Sequence, residues 1–585
     1  MNWPSEWIRL GWGTVSPLLR KSFYVNKAVK HACLTGTALG VCELRLNGVK
    51  VGDTHLIPGW TDYRKRVYLH TFDVKSRLVQ GENVIGGILG AGWFSGYVGP
   101  FSDKGYYGHD AWFSALLEIE YEDGSRETIH TDSSWKGNAG PIICSDLLMG
   151  ESYDARKEIS GWDAPGLDEK NQWWPVSLIR NDERLPEQIE PYPGMPVRTI
   201  AELPAQNVTE PKTGVYVFDL GQNMVGVVRL KVNVASGTEL VLKHGEMLNT
   251  DGTVYTENLR SAKAVDRYIA KGVGEEIWQP RFTFHGFRYV EISGFPEKPP
   301  IDAVTGQVWM SGVRETASFE CSNEKVNRLF KNIQWGFRGN YLEVPTDCPQ
   351  RDERLGWTGD TQMFIRSASY LADIRPFYKK WLVDLHDAQH ENGGYPDMAP
   401  FMGRMSYASA AWSDAGVICP HVLWQAYGGL DFIRPWWPQM KKFMELICTD
   451  DNRHNGPDAV SYGDWLHFNS ETPVRLIGLA YRAYDARLMA EMAAALGESA
   501  DTALFSAEAA KSKALFRNVF FKDGEVAVQT QTACALAVAM DLLSGEDLKK
   551  AADCLVQCLE KHNGYLTTGF VGTTYLCPAL TKAGR

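Results

Sequence analysis

The sequence lacks any continuous apolar run of the roughly 18 residues that a membrane-spanning helix needs, so no transmembrane segment is predicted. Residues 1–7 contain no charged segment followed by an apolar stretch, so no secretory signal peptide is predicted. There is also no GxGxxG fingerprint, no Walker phosphate loop and no HExxH pair. These absences argue against a membrane protein, a nucleotide-dependent enzyme and a zinc protease, and we expect no cofactor.

Cysteine is present, but not in the pairs that form redox or zinc motifs. The 11 cysteines include no CxxC, and an odd number without a framework is typical of reduced thiols in a cytoplasmic protein. Cys554 and Cys558 are one helical turn apart and are interpreted as core positions of a helix. His244 and His285 have no carboxylate or thiolate at ligand spacing beside them, so both are interpreted as structural and no metal site is expected.

An excess of positive charge is absent as well. The net charge is −11 and the isoelectric point is near 5.7, which argues against a nucleic-acid binder or a protein of anionic membrane surfaces. At 585 residues the chain is too long for one domain. Aromatic residues make up 12% of it, a proportion found in carbohydrate-binding proteins and in large β-sandwiches alike.

One run of 14 residues, 347–360, crowds acids around an aromatic as no other stretch of this sequence does. It reads DCPQRDERLGWTGD, and its proline and two glycines favour a loop. Sugar hydrolysis needs a carboxylic acid that stays protonated, and neighbouring carboxylates raise the pKa of such an acid by repulsion. A tryptophan face suits a sugar ring. A solvated loop with surface salt bridges has the same composition, so the residues alone leave both interpretations open.

The hydrophobic period changes along the chain from two to 3.6. Regions 1–185 and 214–295 alternate as strands do, with a hairpin signal at Asn47 and Gly48, and a proline-rich linker lies between them. Ser322 and Asn323 are predicted to cap a helix, and the apolar stripe that follows has helical spacing: Val326, Leu329, Phe330, Ile333 and Phe337. Further helices are predicted over residues 358–372, 375–391, 412–428, 432–449, 472–496, 499–520, 529–543 and 546–562.

The 347–360 run resembles the signature of the bacterial α-L-rhamnosidases of glycoside hydrolase family 78. The resemblance extends along the chain through the strings LNGVKVGD, PGWTDYRKR, DLGQNMVG, HGEML and FTFHGFRYVEI. It implies two N-terminal antiparallel β-sandwich domains, over residues 1–185 and 186–310. An all-α (α/α)6 barrel is implied over residues 311–585.

The resemblance also implies a reaction and a set of site residues. The reaction is hydrolysis of terminal α-L-rhamnose from glycosides or polysaccharide fragments by inverting single displacement, with Glu353 as general acid. Asp347, Arg351 and Asp360 match positions that bind rhamnose hydroxyls, whereas Asp352 and Arg354 are interpreted as structural. Further substrate-binding candidates are the tryptophans that match the pocket wall and the acids near two of them: Trp357, Trp412, Trp465, Asp414 and Asp464.

The sequence departs from the family pattern at its end. The family places its general base on a later segment resembling TIWERW, which does not occur in these 585 residues. The expectation is therefore an incomplete barrel whose base lies beyond residue 585. Two alternatives follow: an impaired sugar-binding fragment, or an (α/α)6 glycosidase for another sugar. The expected partners are rhamnose-containing oligosaccharides or glycosides, and the homodimeric state, aglycone, linkage and calcium dependence are left open.

Overall fold

The computed structural model describes residues 3–11, 16–100, 103–167, 173–403, 406–449 and 451–585. The chain divides into two compact units. The β unit comprises residues 1–314 and 318–355, and the helical unit comprises residues 315–317 and 356–585. Among the helices in these ranges, none combines the length and apolarity needed to cross a bilayer.

Two sheets at the start of the β unit form a sandwich. The strands of the first sheet are Ser177–Ile179, Trp7–Arg9, Trp112–Tyr121, Val29–Leu39, Arg66–Asp73 and Gln188–Pro191, with Arg126–His130 paired to Trp112–Tyr121. The strands of the second are Trp174–Pro175, Lys136–Ala139, Pro17–Val25, Gly81–Gly90, Val41–Leu46 and Val49–Lys50. Both sheets contribute to one core, and alternate residues of Trp112–Tyr121, including Phe113 and Leu117, enter it. The two sheets therefore share a core to which alternate residues of their strands contribute.

A third sheet, of 11 strands, occupies the rest of the β unit. Its order is Ile142–Asp146, Gly150–Asp154, Val265–Ile269, Glu239–Gly245, His285–Ser293, Val215–Val232, Val304–Ser311, Val197–Pro204 and Thr54–His55. Asn207–Lys212 and Glu276–Trp278 pair with Val215–Val232. Gly226 on that long strand has φ +145°, and a Cβ there would meet the Gln307 carbonyl at 1.9 Å, so this crossing requires glycine.

Two α-helices lie in the described part of the β unit, α1 (Gly92–Ser95) and α2 (Glu324–Asn340). The predicted cap of α2 is confirmed, because the Asn323 side chain accepts hydrogen bonds from the amides of Lys325 and Val326. The predicted apolar stripe is only partly buried. Phe337 is enclosed, whereas Leu329 is 56% exposed, and Val326 and Ile333 are also exposed. The helix packs on strands Val215–Val232 and Val304–Ser311 through its C-terminal half.

The helical unit confirms the change to helical periodicity. Its helices are α3 (Thr358–Leu371), α4 (Arg375–Asp387), α5 (Ala415–Tyr427), α6 (Trp437–Ile447), α7 (Val474–Leu496), α8 (Ser499–Phe520), α9 (Gln531–Ala539), α10 (Gly545–Lys561) and α11 (Phe570–Lys582). Each predicted helical stretch from residue 358 onward contains one of them. The helix α11 lies beyond the last predicted stretch.

The odd-numbered helices of the helical unit form a continuous series. Successive members α3, α5, α7, α9 and α11 contact one another, and α4, α6, α8 and α10 pack against them. Most residues of α5 and α9 are buried on all sides, as expected of helices inside a double ring. Successive helices that alternate in direction put the N-termini of the odd-numbered helices at one end. The loops that precede these helices therefore meet at that end.

Candidate active site

The loop 347–355 of the β unit holds an acid cluster, which we define as Asp347, Arg351, Asp352 and Glu353 together with Arg260. The loop closes on itself: the Asp347 amide donates to the Leu355 carbonyl (3.1 Å), and the Leu355 amide donates to Asp347 Oδ1 (2.9 Å). These two hydrogen bonds fix the Asp347 carboxylate at the neck of the loop. Its other oxygen, Oδ2, lies 3.8 Å from Arg351 Nη2.

Glu353, the predicted general acid, lies between two guanidinium groups. Its Oε2 atom is 2.9 Å from Arg351 Nη2 and 2.9 Å from Arg260 Nη2. The Glu353 side chain is 12% exposed, so it is largely enclosed yet reachable from solvent. The two planar donors hold one carboxyl oxygen in a defined position.

Arg260 is a site residue that the sequence analysis missed. It lies 93 positions before Glu353 and just after a short turn in the third sheet's region. Its Nε donates to Asp352 Oδ1 (2.6 Å), while the Ser261 amide and hydroxyl donate to Asp352 Oδ2. Nothing in the local sequence signals this pairing, because it depends on how the sheet brings distant segments together.

Asp352 and Arg354 have the structural roles that were predicted for them. Asp352 is buried and receives the donors just described. Arg354 is also buried, and its Nη1 donates to the carbonyls of Leu147 (2.7 Å) and Phe284 (2.6 Å). Burial lowers the pKa of Arg354 to about 10. Arg354 therefore ties the loop to the third sheet.

The helical unit holds a tryptophan cluster, which we define as Trp357, Trp412 and Trp465 around Tyr462. The Tyr462 ring centroid lies 5.8 Å from that of Trp357, 4.6 Å from that of Trp412 and 6.2 Å from that of Trp465. A Cβ at position 359 would approach the Trp412 ring to 2.7 Å, so Gly359 allows this ring to lie against α3. The structure thus brings all three predicted wall tryptophans together.

Tyr462 and Asp397 are the organising residues of this cluster. The Tyr462 hydroxyl donates to Asp397 Oδ2 (2.8 Å). Asp397 is fully buried, and burial raises the pKa of its carboxyl to about 6. Tyr462 begins the predicted segment that contains Asp464 and Trp465, and Asp397 ends a stretch, 392–397, that the sequence indicated mainly as a turn. Asp360 lies in the first turn of α3, next to Gly359.

Asp414 and Asp464, two of the predicted sugar contacts, are both buried. Asp414 is 0% exposed; its Oδ2 accepts from the Ala411 amide (2.6 Å) and its Oδ1 lies 2.6 Å from His454 Nε2. Asp485 lies beside it, and burial together with the Asp414 charge raises the pKa of Asp485 well above its ordinary value. Asp414 thus fixes the loop that carries Trp412.

Asp464 instead caps a helix. It is 1% exposed. Its carboxylate accepts from the amides of Gly569 (2.7 Å) and Gly572 (2.9 Å), at the start of α11, and from the Thr532 hydroxyl. The two amides are among the groups that a helix N-terminus leaves without intrahelical partners. The neighbouring Trp465 is 51% exposed and stays available to a ligand.

The structure also corrects the statement that no carboxylate lies beside His244 and His285. Asp266 lies with them in the third sheet, and His285 Nε2 is 3.1 Å from Asp266 Oδ2. All three side chains are fully buried. The two imidazole rings stack, with centroids 4.2 Å apart and planes 24° apart. His244 Nε2 lies 3.7 Å from the same oxygen, Asp266 Oδ2, so the two imidazoles share this buried carboxylate as their partner.

Comparisons with known proteins agree with this architecture. Three family models match: the α-L-rhamnosidase N-terminal domain over residues 27–200, the bacterial α-L-rhamnosidase concanavalin-like domain over residues 209–310, and the bacterial α-L-rhamnosidase six-hairpin glycosidase domain over residues 314–585. β-Sheets followed by a six-hairpin helical domain define a class of glycosidases. Within that class, the chain belongs to the bacterial α-L-rhamnosidase family.

Individual relatives are similar over nearly the whole chain. An α-L-rhamnosidase of Streptomyces avermitilis is 45% identical over 100% of this chain and 57% of its own length. One from Formosa agariphila is 37% identical over 97% of this chain and 62% of its own length. The chain therefore spans about three fifths of the length of these curated relatives.

Solved structures of α-L-rhamnosidases are also similar to nearly the whole chain. The crystal structure of the Streptomyces avermitilis α-L-rhamnosidase complexed with L-rhamnose matches with a TM-score of 0.94 and 46% identity, over 98% of this chain and 55% of that one. Native α-L-rhamnosidase from Aspergillus terreus matches with a TM-score of 0.95 and 33% identity, over 99% of this chain and 69% of that one.

Proposed function

We propose that this chain hydrolyses terminal α-L-rhamnosides by single displacement with inversion, with Glu353 as general acid. The observation that carries the proposal is the match to the Streptomyces structure complexed with L-rhamnose, at 46% identity and a TM-score of 0.94. The substrates are rhamnose-containing glycosides or oligosaccharides. The cytoplasmic location and the assembly as a homodimer stay predictions.

The acid cluster supports the role of Glu353. A general acid must present one oxygen to the leaving group in a fixed position. Arg260 and Arg351 both contact Oε2 at 2.9 Å, so they hold the carboxyl in one orientation. An inverting enzyme also needs a second carboxylate, about 6.5–9.5 Å from the acid, to activate water. We make no assignment of that base.

The tryptophan cluster supports a deoxy-sugar ligand. Rhamnose has a methyl group where its hydroxylated counterpart, mannose, has a hydroxymethyl group. Indole faces suit a methyl group and an apolar ring face, and Trp357, Trp412 and Trp465 offer three of them around Tyr462. Asp347, Arg351 and Asp360 stay the proposed partners of the sugar hydroxyls.

The test compares p-nitrophenyl α-L-rhamnoside with p-nitrophenyl α-L-mannoside, which differs only by the 6-hydroxyl. We expect hydrolysis of the rhamnoside with a preference of up to roughly 100-fold, because an apolar pocket rejects an added hydroxyl only moderately. Proton NMR of the first sugar released should show inversion at the anomeric carbon.

Three outcomes would contradict the proposal. The first is an equal or greater rate on the mannoside. The second is retention of the anomeric configuration. The third is binding of L-rhamnose with no hydrolysis of either glycoside, which would identify a sugar-binding protein.

A further inference from the structure

Three cysteine side chains meet inside the helical unit. Cys534 lies in α9, and Cys554 and Cys558 lie in α10, which packs against α9. Their three sulfur atoms all lie within 4.8 Å of one another. The sequence analysis took Cys554 and Cys558 as core positions of a helix, which is correct, but gave no sign that Cys534 joins them. We refer to these three side chains as the thiol cluster.

The geometry of the thiol cluster resembles a set of metal ligands. Residues four apart share one face of a helix, so α10 presents two thiols side by side and α9 presents the third. Zinc binds thiolate sulfur at about 2.3 Å, so three sulfurs around one ion are roughly 4 Å apart. The three sulfur atoms lie within 4.8 Å of one another, so small side-chain rotations suffice to reach that spacing.

The donor atoms select the class of ion. Three sulfurs and no oxygen suit soft cations such as Zn²⁺, Cd²⁺ and Cu⁺, whereas Ca²⁺ and Mg²⁺ require oxygen ligands. Cys534 is 0% exposed, but Cys554 and Cys558 are 7% and 8% exposed. The cluster therefore lies just beneath the surface, where an ion could reach it by local motion of the last turn of α10.

The surrounding charges are compatible with bound thiolates. Three thiolates and a divalent ion carry a net charge of −1. Lys561 lies near enough to Cys558 to act on it electrostatically, and Cys534 lies in the first turn of α9, where the helix dipole favours negative charge. Both partly offset the negative charge.

We propose that Cys534, Cys554 and Cys558 form a three-coordinate site for a soft, thiophilic cation. Binding replaces three S–H bonds with three metal–sulfur bonds and releases three protons to solvent, with no change of oxidation state. The bound ion joins α9 to α10 and, because it binds only the folded chain, raises the stability of the helical unit. This site is independent of the proposed hydrolysis.

The first experiment titrates the reduced, metal-free chain with Cd²⁺ and follows sulfur-to-cadmium charge-transfer absorption and proton release. We expect one ion per chain at the thiol cluster. Cys534→Ser, Cys554→Ser and Cys558→Ser should each weaken Cd²⁺ affinity at least tenfold, which is ~1.4 kcal/mol. Cys577→Ser, which removes an exposed thiol of α11, is the matched control and should bind as the unaltered chain does.

A second experiment uses the unaltered chain and so does not depend on whether the variants fold. Alkylation with iodoacetamide, mapped by mass spectrometry, should show that Cd²⁺ protects Cys534, Cys554 and Cys558 but not Cys144 or Cys577. Cys348 lies with Asp347 and Glu353 in another group of donor atoms, so its protection is scored separately. The proposal is overturned if no charge-transfer band forms, or if protection is confined to Cys348.

Discussion

The acid cluster and the tryptophan cluster are built on different physical principles. In the acid cluster, carboxylates are held by arginines: Glu353 by Arg260 and Arg351, and the loop itself by the buried Arg354. In the tryptophan cluster, the buried carboxyl of Asp397 is held by the Tyr462 hydroxyl. Its pKa is raised to about 6 because burial disfavours its charge.

This difference indicates a division of labour. Charge pairs fix the direction of a carboxyl without filling space, so they suit a group that takes part in chemistry. Rings packed around a tyrosine fix a surface, so they suit a group that recognises shape. We therefore expect changes in the acid cluster to alter turnover most, and changes in the tryptophan cluster to alter stability and its dependence on pH.

The largest expected effect comes from Glu353→Gln. The amide keeps the shape of the side chain but cannot donate a proton as an acid does, so kcat for phenyl α-L-rhamnoside should fall about 10²–10⁴-fold. Steady-state kinetics measures the loss, and L-rhamnose affinity should change far less. Glu257→Gln, at an exposed glutamate of the same unit, is the matched control. A loss of less than threefold would remove Glu353 from the chemistry.

The next largest effect is on folding, from Arg354→Met. The change leaves the carbonyls of Leu147 and Phe284 without their buried donor, which should cost about 3–5 kcal/mol of unfolding free energy in the β unit. Urea denaturation measures it. The control, Arg267→Met, removes an exposed ion pair with Glu239 and should cost no more than ~1 kcal/mol. Equal costs would mean that Arg354 does not anchor the loop.

Asp397→Asn should change the pH dependence of stability. The pKa of this carboxyl is 3.8 in the unfolded chain and about 6 in the folded chain. The folded state therefore loses stability as pH rises through that range, because burial opposes ionisation of the carboxyl. The unfolding free energy of the unaltered chain should fall by roughly 2–3 kcal/mol between pH 4 and 6.5 relative to the variant. The exposed Asp523→Asn should leave the slope unchanged. Parallel curves for Asp397→Asn would show that this carboxyl is not buried as described.

The smallest effect is expected from Tyr462→Phe, which keeps the ring contacts and removes one hydrogen bond. We expect a loss of ~1 kcal/mol of unfolding free energy, and a further decrease in the acidity of Asp397. Tyr370→Phe, at a tyrosine that is 71% exposed, controls for the loss of a hydroxyl. A change of more than tenfold in KM with unchanged stability would instead place the Tyr462 hydroxyl against the substrate.

The local sequence pattern predicted the helices and loops of this chain better than it predicted which side chains contact one another. The Asn323 cap, the helices from residue 358 and the loop before them were visible in the sequence, because they depend on spacing and cap residues, although the predicted loop 347–360 ends at residue 357, just before α3 begins. The burial of Asp414 and Asp464 could not be predicted, because the sequence pattern of a carboxylate near a tryptophan is the same whether the carboxylate caps a helix or contacts a ligand.

Long-range partners were the least predictable. Arg260 reaches Glu353 across 93 positions, and Asp266 joins two histidines that lie on other strands. Cys534 joins two cysteines of the next helix. In each case the partner is set by the packing of strands or helices, and a single sequence has no local signal for it.

The most direct test of acid catalysis by Glu353 compares two leaving groups in the Glu353→Gln variant. p-Nitrophenolate leaves without protonation far more readily than phenolate does, so loss of the acid should slow the phenyl rhamnoside much more than the p-nitrophenyl rhamnoside. We predict a kcat loss at least about tenfold larger for the phenyl substrate, which is ~1.4 kcal/mol in the barrier. Equal losses on the two substrates would contradict the assignment of Glu353 as the general acid.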